Sequence, residues 1–274
     1  MIARIARRSA RTLLRPTAGV GARPLTSTLQ ASRKDYSSPP PPPTSFWVVP
    51  GSVPSLNAEQ ATACFETIST YLEFSRASEM LKEIRLSQSS QSLALRWQRM
   101  FDIYLTTQLH VIHPFGYAAD QSGIQAFTMN VAQVQQSLSQ ETGLGKELLD
   151  AQKENWELLI ERAFGVSMTD GATEAITIET CRGIAKSVAA HVTSPAFEAQ
   201  VSQRVDGIAD PQAKQQALME LVVDAHFDIL PKHGLEGEEG YVRAQAKMMN
   251  FTGDQEIMTS MHGAMTYLQS KAGV

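Results

Sequence analysis

His110 and His113 lie three residues apart, a spacing that puts both side chains on one face of a helix. A divalent metal would accept two imidazoles in that geometry, with one or two further ligands to complete the shell. The nearest carboxylate upstream, Asp102, is two turns back and does not converge with both. The His-Glu-x-x-His order of zinc peptidases is absent. The pair therefore reads as a helix-end histidine, His113, favoured by the terminal carbonyls, and a surface or partner-facing His110. A second polar group comprises Asp224, His226, Asp228 and His233, with Glu236, Glu238 and Glu239 close behind. Alternate residues point in different directions on a helix, and the ligand order of a calcium loop is missing, so this group reads as solvated turn chemistry. Cys64 and Cys181 fall inside apolar stripes and read as buried structural thiols. No glycine-rich phosphate loop follows a strand. The expectation is a chain with no catalytic residue, no cofactor-binding residue, no cofactor and no metal ligand.

The elements that would carry these groups are helices. Asn57 and Gln60 form a helix start in which each can cap the other, and Ala61, Phe65, Ile68 and Leu72 mark one buried face behind them. Residues 76–86 look helical, and the polar stretch 87–92 either interrupts or decorates a long helix. Leu93, Trp97, Met100, Tyr104 and Val111 mark a helix closed by Pro114. The cleanest stripe is Ile124, Phe127, Val131, Val134 and Leu138. Gly143 and Gly145 punctuate, and Leu148, Leu149, Trp156, Leu159 and Ala163 build another helix. Further helices run through Cys181, Ile184, Val188 and His191, from Pro195, and from the Asp210-Pro211 start through Leu218, Leu221, Ala225 and Ile229 to Pro231. An acidic turn ending at Gly240 precedes two last helices, over residues 241–249 and through Ile257, Met261, Ala264 and Leu268. Sustained apolar–polar alternation is absent, so the fold class is all-α.

Charge is distributed unevenly. Residues 1–34 hold eight basic residues and no acid, whereas the remainder holds 16 basic against 28 acidic residues. An Arg-rich, hydroxyl-rich, acid-free start with Ile2, Ile5, Ser9 and Leu13 in a weak stripe reads as a mitochondrial presequence. Nothing later extends a basic surface, so nucleic acid is not an expected partner. No apolar run approaches the roughly 18 to 20 residues of a transmembrane helix. Five prolines, Pro39 to Pro43, favour an extended polyproline spacer. Phe46, Trp47, Val48 and Val49 are too apolar for a free linker and are expected to pack on the body or on a partner. The domains read as a presequence over 1–34, a Pro-rich linker and apolar segment over 35–54, one helical unit over 55–165 and a second over 173–274.

The two units share an order. Leu56 and Ile176 each precede a helix with a glutamate three residues on, Glu59 and Glu179. Each half then reaches a proline-stopped helix and a pair of glycines, Gly116 with Gly123 and Gly234 with Gly240. Internal duplication predicts that the 93–113 helix matches the 211–230 helix, that 124–138 matches 241–249, and that the 146–164 helix bridges the units, because Trp156 and Leu159 lie outside the pattern. The first half, through Leu56 to Ala61, the helix from Trp97 to Ile112, Phe115-Gly116-Tyr117 and Asp120 through Ile124 to Phe127, resembles the small helical family called protein C-ten. The second half looks like a diverged copy, through His233-Gly234-Leu235, Glu239-Gly240-Tyr241 and Asp254 to Ile257. The resemblance implies an all-helical fold with no established enzymatic activity.

The expected function is a non-catalytic mitochondrial helical protein, a scaffold or accessory subunit of a larger respiratory, ATP synthase or other assembly in the matrix or at the matrix face of the inner membrane. The expected partners are proteins. Met248, Met249, Met258, Met261 and Met265 offer adaptable contact surface. The alternatives are an enzyme with a metal or histidine site between helices, and a soluble regulatory adaptor.

Overall fold

The computed structural model describes residues 54–138, 142–251 and 254–273. Residues 1–34, read as a presequence, the proline run and Phe46 to Val49 lie outside them. Among the described residues every regular element is helical, and no helix is long and apolar enough to cross a membrane.

The first half begins with α1 (Ala58–Phe74), whose start is the reciprocal cap expected from the sequence. The Gln60 backbone N–H donates to Asn57 Oδ1 at 2.8 Å, and the Asn57 backbone N–H donates to Gln60 Oε1 at 2.9 Å. This satisfies two of the amides that a helix start leaves open. Ala61, Phe65, Ile68 and Leu72 are all buried, so the stripe is the core face. Ser75 ends α1 and caps α2 (Arg76–Leu86). The polar stretch after it interrupts the helix, and Ser92 caps α3 (Leu93–Ile112). Pro114 sits in a 3-10 turn, His113–Phe115, that closes α3. Asp120 caps α4 (Gln121–Gln136). Helix α5 (Gly143–Phe164) begins at Gly143, whose φ of 61° marks the boundary, and Gly145 lies in its first turn.

A short helix, α6 (Gly171–Glu174), occupies the connection. The second half comprises α7 (Ile178–Val192), α8 (Pro195–Val205), α9 (Pro211–Ile229), a 3-10 turn Leu230–His233, α10 (Gly237–Asn250) and α11 (Gln255–Ala272). Pro195 and Pro211 occupy first helical positions behind the side-chain caps Ser194 and Asp210. The residues read as an acidic turn, Glu238 to Gly240, form the first turn of α10, where carboxylates face the positive end of the helix.

Helices follow one another in the same order in the two halves. Their lengths run 17, 11, 20, 16 and 22 residues in the first and 15, 11, 19, 14 and 18 in the second, with a proline-bearing 3-10 turn before the fourth helix each time. The last helix of each half packs on the first and the second of that half, α5 on α1 and α2, α11 on α7 and α8. Helix α5 thus holds the place in its half that α11 holds in the other, and it also packs on α10 of the second half, the contact expected of a bridge. Both 3-10 turns end on a left-handed glycine, Gly116 at φ 91° and Gly234 at φ 73°. Two later glycines are small for a shared reason. A Cβ on Gly123 would stand 1.9 Å from the Ala118 carbonyl oxygen, and one on Gly240 would stand 2.7 Å from the Leu235 carbonyl carbon.

The halves meet where α3 packs on α9 and where α5 and α6 pack on α10. A single buried apolar cluster runs through both halves.

Candidate functional site

The two histidines of the first half are placed apart in function although they share a helix end. His110 is exposed and its ring meets Tyr71 of α1 edge-on, with centroids 5.3 Å apart. His113 is exposed too, and its Nδ1 lies 3.0 Å from the Tyr117 carbonyl oxygen, which ties the 3-10 turn to the loop after it. Asp102 is exposed on α3. Among the described residues no group of three or more His, Cys, Asp or Glu side chains is arranged to hold a metal ion.

The second polar group separates more completely, and one member contradicts the solvated reading. His226 is fully buried. Its Nδ1 is 2.7 Å from the Val222 carbonyl oxygen, which can only accept, so Nδ1 carries the proton. Its Nε2 then accepts from the Gln245 amide at 2.9 Å. Burial holds the imidazole pKa below its ordinary value, against the weaker opposite pull of the Val222 carbonyl. The ring also meets Tyr241 edge-on at 5.2 Å. Asp224 and Asp228 are exposed on other faces of α9, Asp228 with His191 3.9 Å away. Desolvation raises the Asp224 carboxyl above its usual range. His233 packs over Gly183 of α7, where an added Cβ would stand 3.2 Å from its Cε1. Glu236 precedes α10, while Glu238 and Glu239 pair with different arginines, Arg96 and Arg243.

Cys64 and Cys181 are both buried and unpaired with each other. Burial pushes the Cys64 thiol up to about 12 and the Cys181 thiol up to about 11, so neither is a thiolate near neutral pH.

The richest polar geometry lies at the seam between the halves, in residues that periodicity assigned only to core or surface. Arg96 of α3 is 1% exposed and pairs with Glu238 of α10. Its guanidinium also lies over the Phe164 ring at 5.6 Å. Neighbouring Trp97 packs on Phe164 at 5.0 Å and on Tyr241 of the second half at 6.1 Å. A run of rings continues from Trp97 to Phe101 at 5.9 Å and from Phe101 to Trp156 at 5.8 Å. Arg243 of α10 reaches back to the connection, pairing with both oxygens of Asp170 and with Thr173. The hydrogen bonds from Arg243, with one from the Thr173 backbone, hold the Asp170 carboxyl far below the usual carboxylate range. Asp170 also caps α6, so one carboxylate organises the connection and fastens it to α10. Arg96 Nε and Trp97 Nε1 are buried with no hydrogen-bond partner among the described residues.

Charge in the sequence marks Arg96 as a surface residue, because nothing local announces Glu238, which is 142 positions away. The arginine in the Trp97 stripe is the one available signal, since it sits one position from the most apolar face of α3. The seam groups are engaged with one another, guanidinium to carboxylate and ring to ring, which suits them to joining the halves. In comparisons with known proteins, no family model, no curated protein and no solved structure matches this chain.

Proposed function

We propose that this chain is a non-catalytic mitochondrial protein that holds protein partners as a scaffold or accessory subunit of a larger assembly. The observation that carries the reading is one-sided exposure. Of the large apolar side chains standing exposed among the described residues, Phe74, Met80, Leu86, Leu105, Met129, Leu144 and Leu149 belong to the first half and only Met258 to the second. Phe74 and Leu86, 67% and 83% exposed, are the last residues of α1 and α2, just before Ser75 and Ser87. Single exposed apolar residues are ordinary, but their concentration on one half of a two-part body favours a contact surface there. The acid-free, arginine-rich residues 1–34 support the compartment. The shared helix order, the paired 3-10 turns and the paired close-packed glycines support reading the halves as two copies of one unit, the second diverged, as the likeness to the protein C-ten family implies.

The test is native-gel migration from isolated mitochondria of the natural chain and of a Phe74→Asp, Leu86→Asp variant. Both positions are exposed, so the variant keeps the fold. The natural chain migrates in an assembly larger than itself, and the variant leaves it. A natural chain that migrates alone, or a variant that stays in the assembly, overturns the scaffold reading or its surface respectively. Residues 1–40 fused to a fluorescent protein carry it into mitochondria; a diffuse cytosolic signal overturns the compartment.

A further inference from the structure

Helix α4, which lends Met129 to the exposed set of the first half, has a further peculiarity, its lack of charge. Its sequence, Gln121–Gln136, contains no Asp, Glu, Lys or Arg, and every other described helix of eight or more residues contains at least one. Yet α4 is a surface helix. Gln125, Thr128, Met129, Ala132, Gln133 and Gln136 are exposed, Met129 at 64%. Its stripe of Ile124, Phe127, Val131 and Val134 is buried only at Phe127 and Val131, with Ile124 and Val134 half-buried. A solvent-facing helix face ordinarily carries charge, so a face of amides, alanines and a methionine is suited to being covered by something equally uncharged.

The chain brings such a segment to this helix. The Asn130 side-chain amide donates to the Pro54 carbonyl at 2.5 Å and to the Tyr117 hydroxyl at 2.7 Å, so the described chain begins against the middle of α4. Residues 36–58 carry no charge, and Phe46, Trp47, Val48 and Val49 form their apolar centre. Val49 is five residues before Pro54 and can lie up to about 17 Å from it. Asn130 is the tenth of the 16 residues of α4, so either end of the helix is within about 14 Å along its axis. Prolines lack an N–H, which leaves their carbonyls to accept from side chains. Asn130 already makes such a bond to Pro54, and Gln125, Gln133 and Gln136 present the same amide donor nearby.

We propose that the apolar segment Phe46, Trp47, Val48 and Val49 of this chain covers the uncharged outer face of α4, with Met129 beneath it. The tether fixes the occupant: the chain that follows it is held at Asn130 through Pro54, it matches the face in lacking charge, and it needs no concentration to arrive. The segment then extends the first half of the body and withdraws α4 from the surface open to partners.

Methionine oxidation reads this directly, because attack by peroxide follows exposure of the sulfur. The full chain is treated with dilute hydrogen peroxide, and sulfoxide at each methionine is followed by peptide mass spectrometry. Met258, 47% exposed in the second half, is the internal reference. In the natural chain Met129 oxidises several-fold more slowly than Met258. In a Phe46→Ser, Trp47→Ser variant, which alters nothing in the helical body, Met129 becomes the faster of the two, and neither result changes on dilution. Faster oxidation of Met129 in the natural chain overturns the proposal. Protection that disappears on dilution assigns the face to a second copy, and protection that survives in the variant assigns it to another part of the chain; either result overturns it as well.

Discussion

The first and second halves use the same succession of helices and hold their closing helices by different chemistry. In the first, α5 is held to α1 mainly inside the body, with one long ion pair, Arg162 to Glu73 at 3.9 Å, at its edge. Ser69 Oγ donates to Asn155 Oδ1 at 2.5 Å in the buried interior, and aromatic side chains line the α3–α5 contact, with Tyr104 5.0 Å from Trp156. In the second, α11 is fastened from outside. Arg182 of α7 reaches Asp254 at 2.6 Å and Glu256 at 3.6 Å, Lys186 pairs with Glu256, and Lys271 with Tyr267 grips Glu198 of α8. Buried ring contacts are insensitive to ions, whereas exposed ion pairs are screened. A shared order of helices therefore does not fix the energetics, and the half that exposes apolar side chains is the one whose own packing depends least on surface charge.

The contrast breaks first at Trp97, which belongs to the first half's aromatic run and also touches Tyr241. Trp97→Ala removes a 5%-exposed indole from both contacts and is expected to cost about 3–5 kcal/mol in urea unfolding. A loss under about 1 kcal/mol would show that the seam does not depend on this ring. A sharper comparison uses the paired glycines. Gly123→Ala sets a Cβ 1.9 Å from a carbonyl oxygen and must move backbone, at about 2–3 kcal/mol by analogy with overpacking. Gly240→Ala meets its nearest backbone atom at 2.7 Å and costs less. The same unfolding measurement checks the order; equal or inverted effects would separate the two turns.

His226 adds a difference in pH. Its folded pKa lies below the ordinary value of 6.5, so the folded chain binds fewer protons than the unfolded chain in that window. Stability is therefore full above pH 6.5 and falls as pH drops from there toward the folded pKa. Asp170 adds loss at lower pH, since its depressed pKa stabilises the fold above the unfolded value of 3.8 and is lost as acid titrates it. Measured Tm against pH is expected to decline from the His226 window, and His226→Gln to flatten that part of the curve. A natural chain with a flat profile from pH 7 to 5 contradicts the buried neutral imidazole.

Legibility in the sequence followed the range of the cause. The Asn57–Gln60 cap, Pro195 at a helix start and Pro114 at a helix end act within one turn, and each was readable because the partner lies three or four residues away. Gly143 is readable for the same reason, since a glycine ahead of an apolar stripe marks where the helix begins. The acidic residues Glu238 and Glu239 looked like loop chemistry because their partners, Arg96 and Arg243, are brought by α3 and by the next turn of α10. His226 shows the limit of spacing. Periodicity spreads Asp224, His226 and Asp228 around α9, correctly, but does not say which of them faces the core. The Arg243–Asp170 clasp joins residues 73 apart in sequence and left no local trace.

The smallest expected effect separates the halves most cleanly. Exposed ion pairs each contribute about 0–1 kcal/mol, and the Arg182, Lys186 and Lys271 pairs are all at least partly exposed. Raising salt shortens the Debye length from about 10 Å at 0.1 M to about 3 Å at 1 M, which weakens these clasps and leaves the Ser69–Asn155 bond and the aromatic run unchanged. Backbone amides of α11 should then exchange hydrogen faster in high salt, relative to amides of α5 in the same sample. The ratio removes the general effect of salt on exchange chemistry, since both helices experience it. A Lys271→Gln variant should reproduce part of the α11 change at low salt, because it breaks the Glu198 clasp without altering the core. Equal salt responses in α5 and α11 would mean that α11 is held by its buried face, Ile257, Ala264 and Leu268, as fully as α5 is held by its own.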